Sequence, residues 1–212
     1  MIRPQTNALR RATDLGGIWH LRLDPDDCGQ RQGWERAIGL GDPDAVHPVA
    51  VPGSWNEQLA EVGGMNHVGP AWYQRAIYVP ALNDGEVAEL HFASADYAAD
   101  VWIDGRHAGA SGAAMLPFVV PLATGPLPGG PARLVVRVTN LLPVDGPTQR
   151  VTQADYAAEG RPRDEYLPAV RFDFFPYGGL NRPVTLVVRP AHGLTDYRIV
   201  TQVAGEAATL TA

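Results

Sequence analysis

Arg171-Phe172-Asp173-Phe174-Phe175-Pro176-Tyr177-Gly178-Gly179-Leu180-Asn181-Arg182-Pro183-Val184 sets four aromatic rings into six consecutive positions around one carboxylate, Asp173. Aromatics make up only 8% of the 212 residues, so the crowding is local. Gly178 and Gly179 follow, a pair that permits positive φ or close backbone approach. Val184-Thr185-Leu186-Val187-Val188-Arg189 then reads as a β-strand rich in β-branched residues.

An acid among rings has two readings. In one, the rings pack inward and Asp173 caps backbone amides or pairs with Arg171 or Arg182, since buried polar groups are usually satisfied. In the other, the rings lie against the apolar C–H face of a sugar while the carboxylate accepts bonds from its hydroxyls.

Upstream, period-two alternation recurs. Ile18, His20 and Arg22 oppose Trp19, Leu21 and Leu23, which marks a half-buried strand. Val87 to Ala95 sets Ala88, Leu90 and Phe92 against Val87, Glu89 and His91; Arg133 to Asn140 turns Leu134, Val136 and Val138 inward. Asp104-Gly105 supplies the two residues a type I′ hairpin turn favours. Gln30 to Ile38 is expected to form a short surface helix, and the acidic neighbours Asp26-Asp27 and Asp164-Glu165 to be solvated. Ser54 and Glu57 have capping-box spacing, opening one or two helical turns through Leu59 to Val62. Trp72-Tyr73 fits a core pair or a ligand face.

Nineteen prolines and 23 glycines suit short strands with frequent turns, and 45% hydrophobic against 19% charged residues suits a buried core. Regularly spaced strands without a long helix predict an all-β, antiparallel β-sandwich. The net charge is −6 and every basic residue is an arginine, with no basic stripe, which argues against a nucleic-acid partner. Cys28 stands alone, no Cys/His set has zinc spacing, and neither metal nor cofactor is expected. No run approaches the roughly 18 apolar residues of a spanning helix, so no membrane partner is expected either. The N-terminus lacks an apolar leader, so a cytoplasmic location is expected.

The order Asp173-Phe174-Phe175-Pro176-Tyr177-x-Gly179-Leu180-x-Arg182-x-Val184 resembles the signature that closes the N-terminal sugar-binding domain of glycoside hydrolase family 2, nearest to its β-glucuronidase branch. Three further stretches resemble family segments: the Leu15-Gly16-Gly17-Ile18-Trp19 lead-in, Val51-Pro52-Gly53-Ser54-Trp55-Asn56-Glu57-Gln58, and Trp72-Tyr73-Gln74-Arg75. Ser111 to Phe118 keeps only Pro117-Phe118 of a family His-x-Gly-Gly-Tyr-x-Pro-Phe segment, and Val144 to Thr148 replaces a Thr-Ile-Pro-Pro-Gly stretch. Asn56-Glu57 imitates the family's catalytic Asn-Glu, but that pair belongs to a barrel hundreds of residues further on.

The resemblance implies a jelly roll of the galactose-binding type over residues 1–192. It also implies the first strands of an incomplete immunoglobulin-like domain over 193–212. Asp173 is implied to reach the sugar pocket of a separate catalytic barrel, and the substrate-binding candidates are Asp173, Phe174, Tyr177 and Arg182, with no catalytic residue in the chain. The long Leu141–Val170 segment would form part of the pocket rim. Expected partners are a β-glycoside, a glucuronide or galactoside, and the barrel of the parent enzyme, itself a homo-oligomer. A free-standing carbohydrate-binding module and a purely structural domain remain the alternatives.

Overall fold

The computed structural model describes residues 4–141, 177–193, 199–205 and 207–211. Asp173, Phe174, Asp164-Glu165 and nearly all of the Leu141–Val170 segment therefore lie outside the described residues.

Strands β1 (Arg11–Asp14), β2 (Gly17–Leu23), β3 (Val46–Val51), β4 (Gly53–Ser54), β5 (Pro70–Val79), β6 (Glu86–Phe92) and β7 (Ala98–Ile103) form the first half of the fold. They are followed by β8 (Arg106–Ser111), β9 (Phe118–Thr124), β10 (Gly130–Thr139), β11 (Gly179–Leu180), β12 (Val184–Pro190), β13 (Val200–Ala204) and β14 (Ala207–Thr211). Two large antiparallel sheets face each other, one of order β1-β12-β6-β9 and one of order β3-β2-β5-β10-β7-β8. The expected antiparallel β-sandwich is what forms. Among the described residues β13 and β14 pair only with each other.

Alternation explains the main core. Trp19, Leu21, Tyr73, Leu90, Phe92, Leu134, Val136, Val138 and Leu186 all point between the sheets and are buried there, whereas Ile18 stands 65% exposed on the other face of β2. Each aliphatic side chain so buried contributes about 1.5–3 kcal/mol. Phe92 and Phe118 stack across the β6–β9 pair at 4.7 Å. Asp104 (φ 48°) and Gly105 (φ 78°) make the β7–β8 turn with both central residues at positive φ, as a type I′ turn requires.

A second core occupies the outer face of the six-stranded sheet. Trp34, Leu40, Trp72, Trp102 and Val135 cluster there, with the Trp72 and Trp102 rings stacked at 5.2 Å and the Arg22 guanidinium 3.7 Å over Trp34. Trp72 and Tyr73 thus go to opposite cores. Gln30 to Ile38 corrects the expected surface helix: the segment runs as successive turns, ending in a 3₁₀ turn at Ile38–Leu40, and carries Trp34 inward. The cause is Asp24, fully buried, whose carboxylate accepts the Cys28 and Gly29 amides and the Trp72 indole N–H. Gly33 then turns at φ 72°, which a continuing helix cannot accommodate. Asp27 is likewise not merely solvated: its carboxylate pairs with the buried Arg137 at 2.7 Å.

Candidate functional site

The corner that carries the closing motif is built by β4, β11, the helix α1 (Trp55–Gln58) and the turn Ser94 to Tyr97. Ser54 caps α1, its hydroxyl accepting the Asn56 amide at 3.1 Å, while Glu57 points outward and is exposed. The cap is real, but the Ser54 hydroxyl bonds Asn56 twice, accepting its amide and donating to its Oδ1 at 3.2 Å, rather than Glu57. Asn56 is fully buried: Nδ2 donates to the carbonyls of Gly64 and Met65, each at 3.0 Å, and Oδ1 accepts the Gly178 amide at 2.8 Å. Its resemblance to a catalytic asparagine is therefore positional only.

Both glycines of the motif serve the roles their type suggests. Gly178 lies so close to the Trp55 ring that a Cβ would sit 1.9 Å from Cζ2, and Gly179 takes φ 138° while pairing with Ser54 and bridging to Asp96. Asp96 is 7% exposed and is fully engaged. Its Oδ1 accepts the Ser94 hydroxyl at 2.8 Å, its Oδ2 accepts Asn181 Nδ2, and its amide donates to the Gly179 carbonyl at 3.0 Å. Asn181 Nδ2 also makes a long 3.5 Å contact with the Tyr177 carbonyl, so the stretch leaving Tyr177 is pinned from two sides. Beneath it, burial pushes the Tyr73 hydroxyl well above the ordinary tyrosine range, with the Leu180 backbone opposing and Asp96 reinforcing the rise. Tyr97 is raised for the same reasons, burial first and Asp96 second.

Of the four candidate contacts, the described residues include two. Tyr177 is 42% exposed, and Arg182 is exposed with no partner for its guanidinium among the described residues. They flank β11 at the surface. Asn56, Asp96 and Asn181, which fix this corner, carry no periodic signal; only the placing of Asn56 beside the Ser54 cap hinted at a structural use. The corner's one described carboxylate, Asp96, is consumed by hydrogen bonds. Among the described residues no group of three or more His, Cys, Asp or Glu side chains could hold a metal ion, and no helix is long and apolar enough to cross a membrane.

No protein-family model matches the chain. It is 31% identical over 207 residues to a β-glucuronidase of Paenibacillus borealis, an alignment covering 97% of this chain and 34% of that one. Among solved structures it superposes on the β-glucuronidase of an uncultured Clostridium species with a TM-score of 0.77 and 27% identity, covering 99% of this chain and 34% of the other. The β-glucuronidase of Ruminococcus gnavus, in complex with D-glucaro 1,5-lactone, gives 0.77 and 26% with the same coverage. The chain spans about a third of the length of the curated relatives it matches. From end to end, then, its sequence and its sandwich agree with one portion of the same enzymes, and the chain belongs to glycoside hydrolase family 2 as an N-terminal, β-glucuronidase-type domain.

Proposed function

We propose that this domain lends a substrate contact to a glucuronide held mainly by a separate catalytic barrel, with Asp173, Phe174, Tyr177 and Arg182 as the contacting residues. The observation that carries the reading is the alignment of 97% of the chain with a β-glucuronidase. An exposed aromatic ring and an unpaired guanidinium beside the pinned turn at β11 support it, because a ring can cover a pyranose face while a guanidinium meets a carboxylate. That the Ruminococcus gnavus enzyme binds a lactone of a sugar acid fits a glucuronide as the substrate class. Residues 193–212 are read as the start of a second β-sandwich domain, since β13 and β14 join neither large sheet. The setting is read as cytoplasmic, where Cys28 stays a thiol.

Two measurements test this. The 212-residue chain is expected to release no p-nitrophenol from p-nitrophenyl β-D-glucuronide, and turnover by it would overturn the reading. A chimaera in which this chain replaces the matching third of the Paenibacillus borealis enzyme is expected to be active. Asp173→Ala in that chimaera should raise KM about tenfold or more, the cost of one charge-assisted hydrogen bond. Unchanged kinetics in the variant would remove the contact and leave the domain a structural one.

A further inference from the structure

The outer face of the four-stranded sheet carries a cleft of about 670 Å³, within the roughly 300–1,000 Å³ range of small-molecule sites. It shares no residue with the Tyr177 corner. Its floor is an ion pair set diagonally across β6 and β12: Arg189 Nε donates to Glu89 Oε2 at 3.0 Å, and Nη2 donates to Oε1. His91 Nε2 shares Glu89 Oε2 at 3.1 Å. One wall is Val119, opposite His91 on β9 and 39% exposed; the other is Leu9, 72% exposed. Arg10 also lines the cleft, half-buried, and no acid pairs with it among the described residues.

Among the described residues three charged side chains therefore line the cleft, two guanidiniums and one carboxylate, and no acid there compensates Arg10. An unpaired cation in a concave site favours an anion, and a guanidinium fork matches a carboxylate. The Glu89–Arg189 pair adds an acceptor and spare N–H donors side by side, the combination that a hydroxyl, both donor and acceptor, can satisfy. Exposed Leu9 and Val119 supply apolar surface for C–H groups.

We infer that this cleft is a ligand site for a carboxylate-bearing sugar, with Arg10 meeting the carboxylate and Glu89–Arg189 meeting hydroxyls. The carboxylate supplies the charge selection; the hydroxyls supply the distinction from a simple anion.

The test is calorimetric titration of the 212-residue chain with D-glucuronate, phenyl β-D-glucuronide, D-glucose and inorganic phosphate. Glucuronate or its glycoside is expected to bind at millimolar concentration, and the arm that binds tells a free sugar acid from a glycoside. Glucose should bind about tenfold or more weaker, and Arg10→Gln should weaken glucuronate by a similar factor at unchanged melting temperature. Val119→Trp, which fills the cleft from an exposed position, should abolish binding even if Arg10→Gln fails to fold. Binding that is lost in Asp173→Ala but kept in Arg10→Gln would belong to the contact proposed above and would overturn this inference. The inference is overturned if glucuronate does not bind, if phosphate binds as tightly, or if binding survives both cleft substitutions.

Discussion

The Gly178 amide and Asn56 Oδ1 meet at 2.8 Å although 122 positions separate them in the chain. Asn56 simultaneously ties down the carbonyls of Gly64 and Met65, so one buried amide fixes the exit of the closing motif and the turn after α1 together.

Asn56→Ala should therefore destabilise the domain by about 3 kcal/mol, because several buried partners lose their bonds at once. Urea unfolding measures it. Glu57→Ala, one residue on and exposed, should stay within about 0.5 kcal/mol. A catalytic role for the Asn56-Glu57 pair would predict the reverse order of importance.

Gly178→Ala should cost more than about 2 kcal/mol, since its Cβ would overlap the Trp55 ring at 1.9 Å and that ring is walled in by Tyr73 and His67. A lowered melting temperature with altered tryptophan fluorescence is the expected reading. Gly193→Ala, where a Cβ meets nothing within 4 Å, is the neutral control.

Glu89 links charge to stability. Burial opposes its ionisation, but the hydrogen bonds from Arg189 and His91 and their charges outweigh that and hold its carboxyl below the ordinary value of 4.5. A depressed folded-state value means that the stabilisation is present above pH 4.5 and is lost as pH falls through the folded-state value. Thermal unfolding followed from pH 6 to pH 3 should show a steeper acid loss for the native chain than for Glu89→Gln.

The Cys28 thiol is raised above its ordinary range by burial and, after that, by the neighbouring Asp24 carboxylate. The thiolate is the reactive form, so Ellman's reagent at pH 8 should label Cys28 more slowly in the folded chain than in urea. Equal rates would mean that the Asp24 turn opens freely.

The main core was legible because its strands are half-buried and alternate: Trp19, Leu21, Leu90 and Leu134 fall where period two puts them. The second core was not. Trp34 and Leu40 reach it from turns, which have no period, and the alternation of Leu134, Val136 and Val138 made β10 look one-sided, although Val135 is buried on its other face. Ionic links across the chain, such as Asp27 with Arg137, are set by tertiary approach and leave no local mark. At the corner, the motif's glycines could be read for their backbone roles, whereas Asp96 with Asn181 depends on two loops meeting. Tyr177 and Arg182 lie at the surface beside β11; Asp173 and Phe174 fall outside the described residues.

β1 opens the four-stranded sheet, yet its neighbour is β12, with Arg11 registered against Val188. Arg11 and Val188 are 177 positions apart in the chain, so β1 is synthesised long before the strand it pairs with. Completion of that sheet depends on β12, its latest strand in sequence, slotting between β1 and β6, a long-range closure that is slow by nature. Nascent chains halted before residue 184 would accordingly display an unpaired edge and be the aggregation-prone species of this protein.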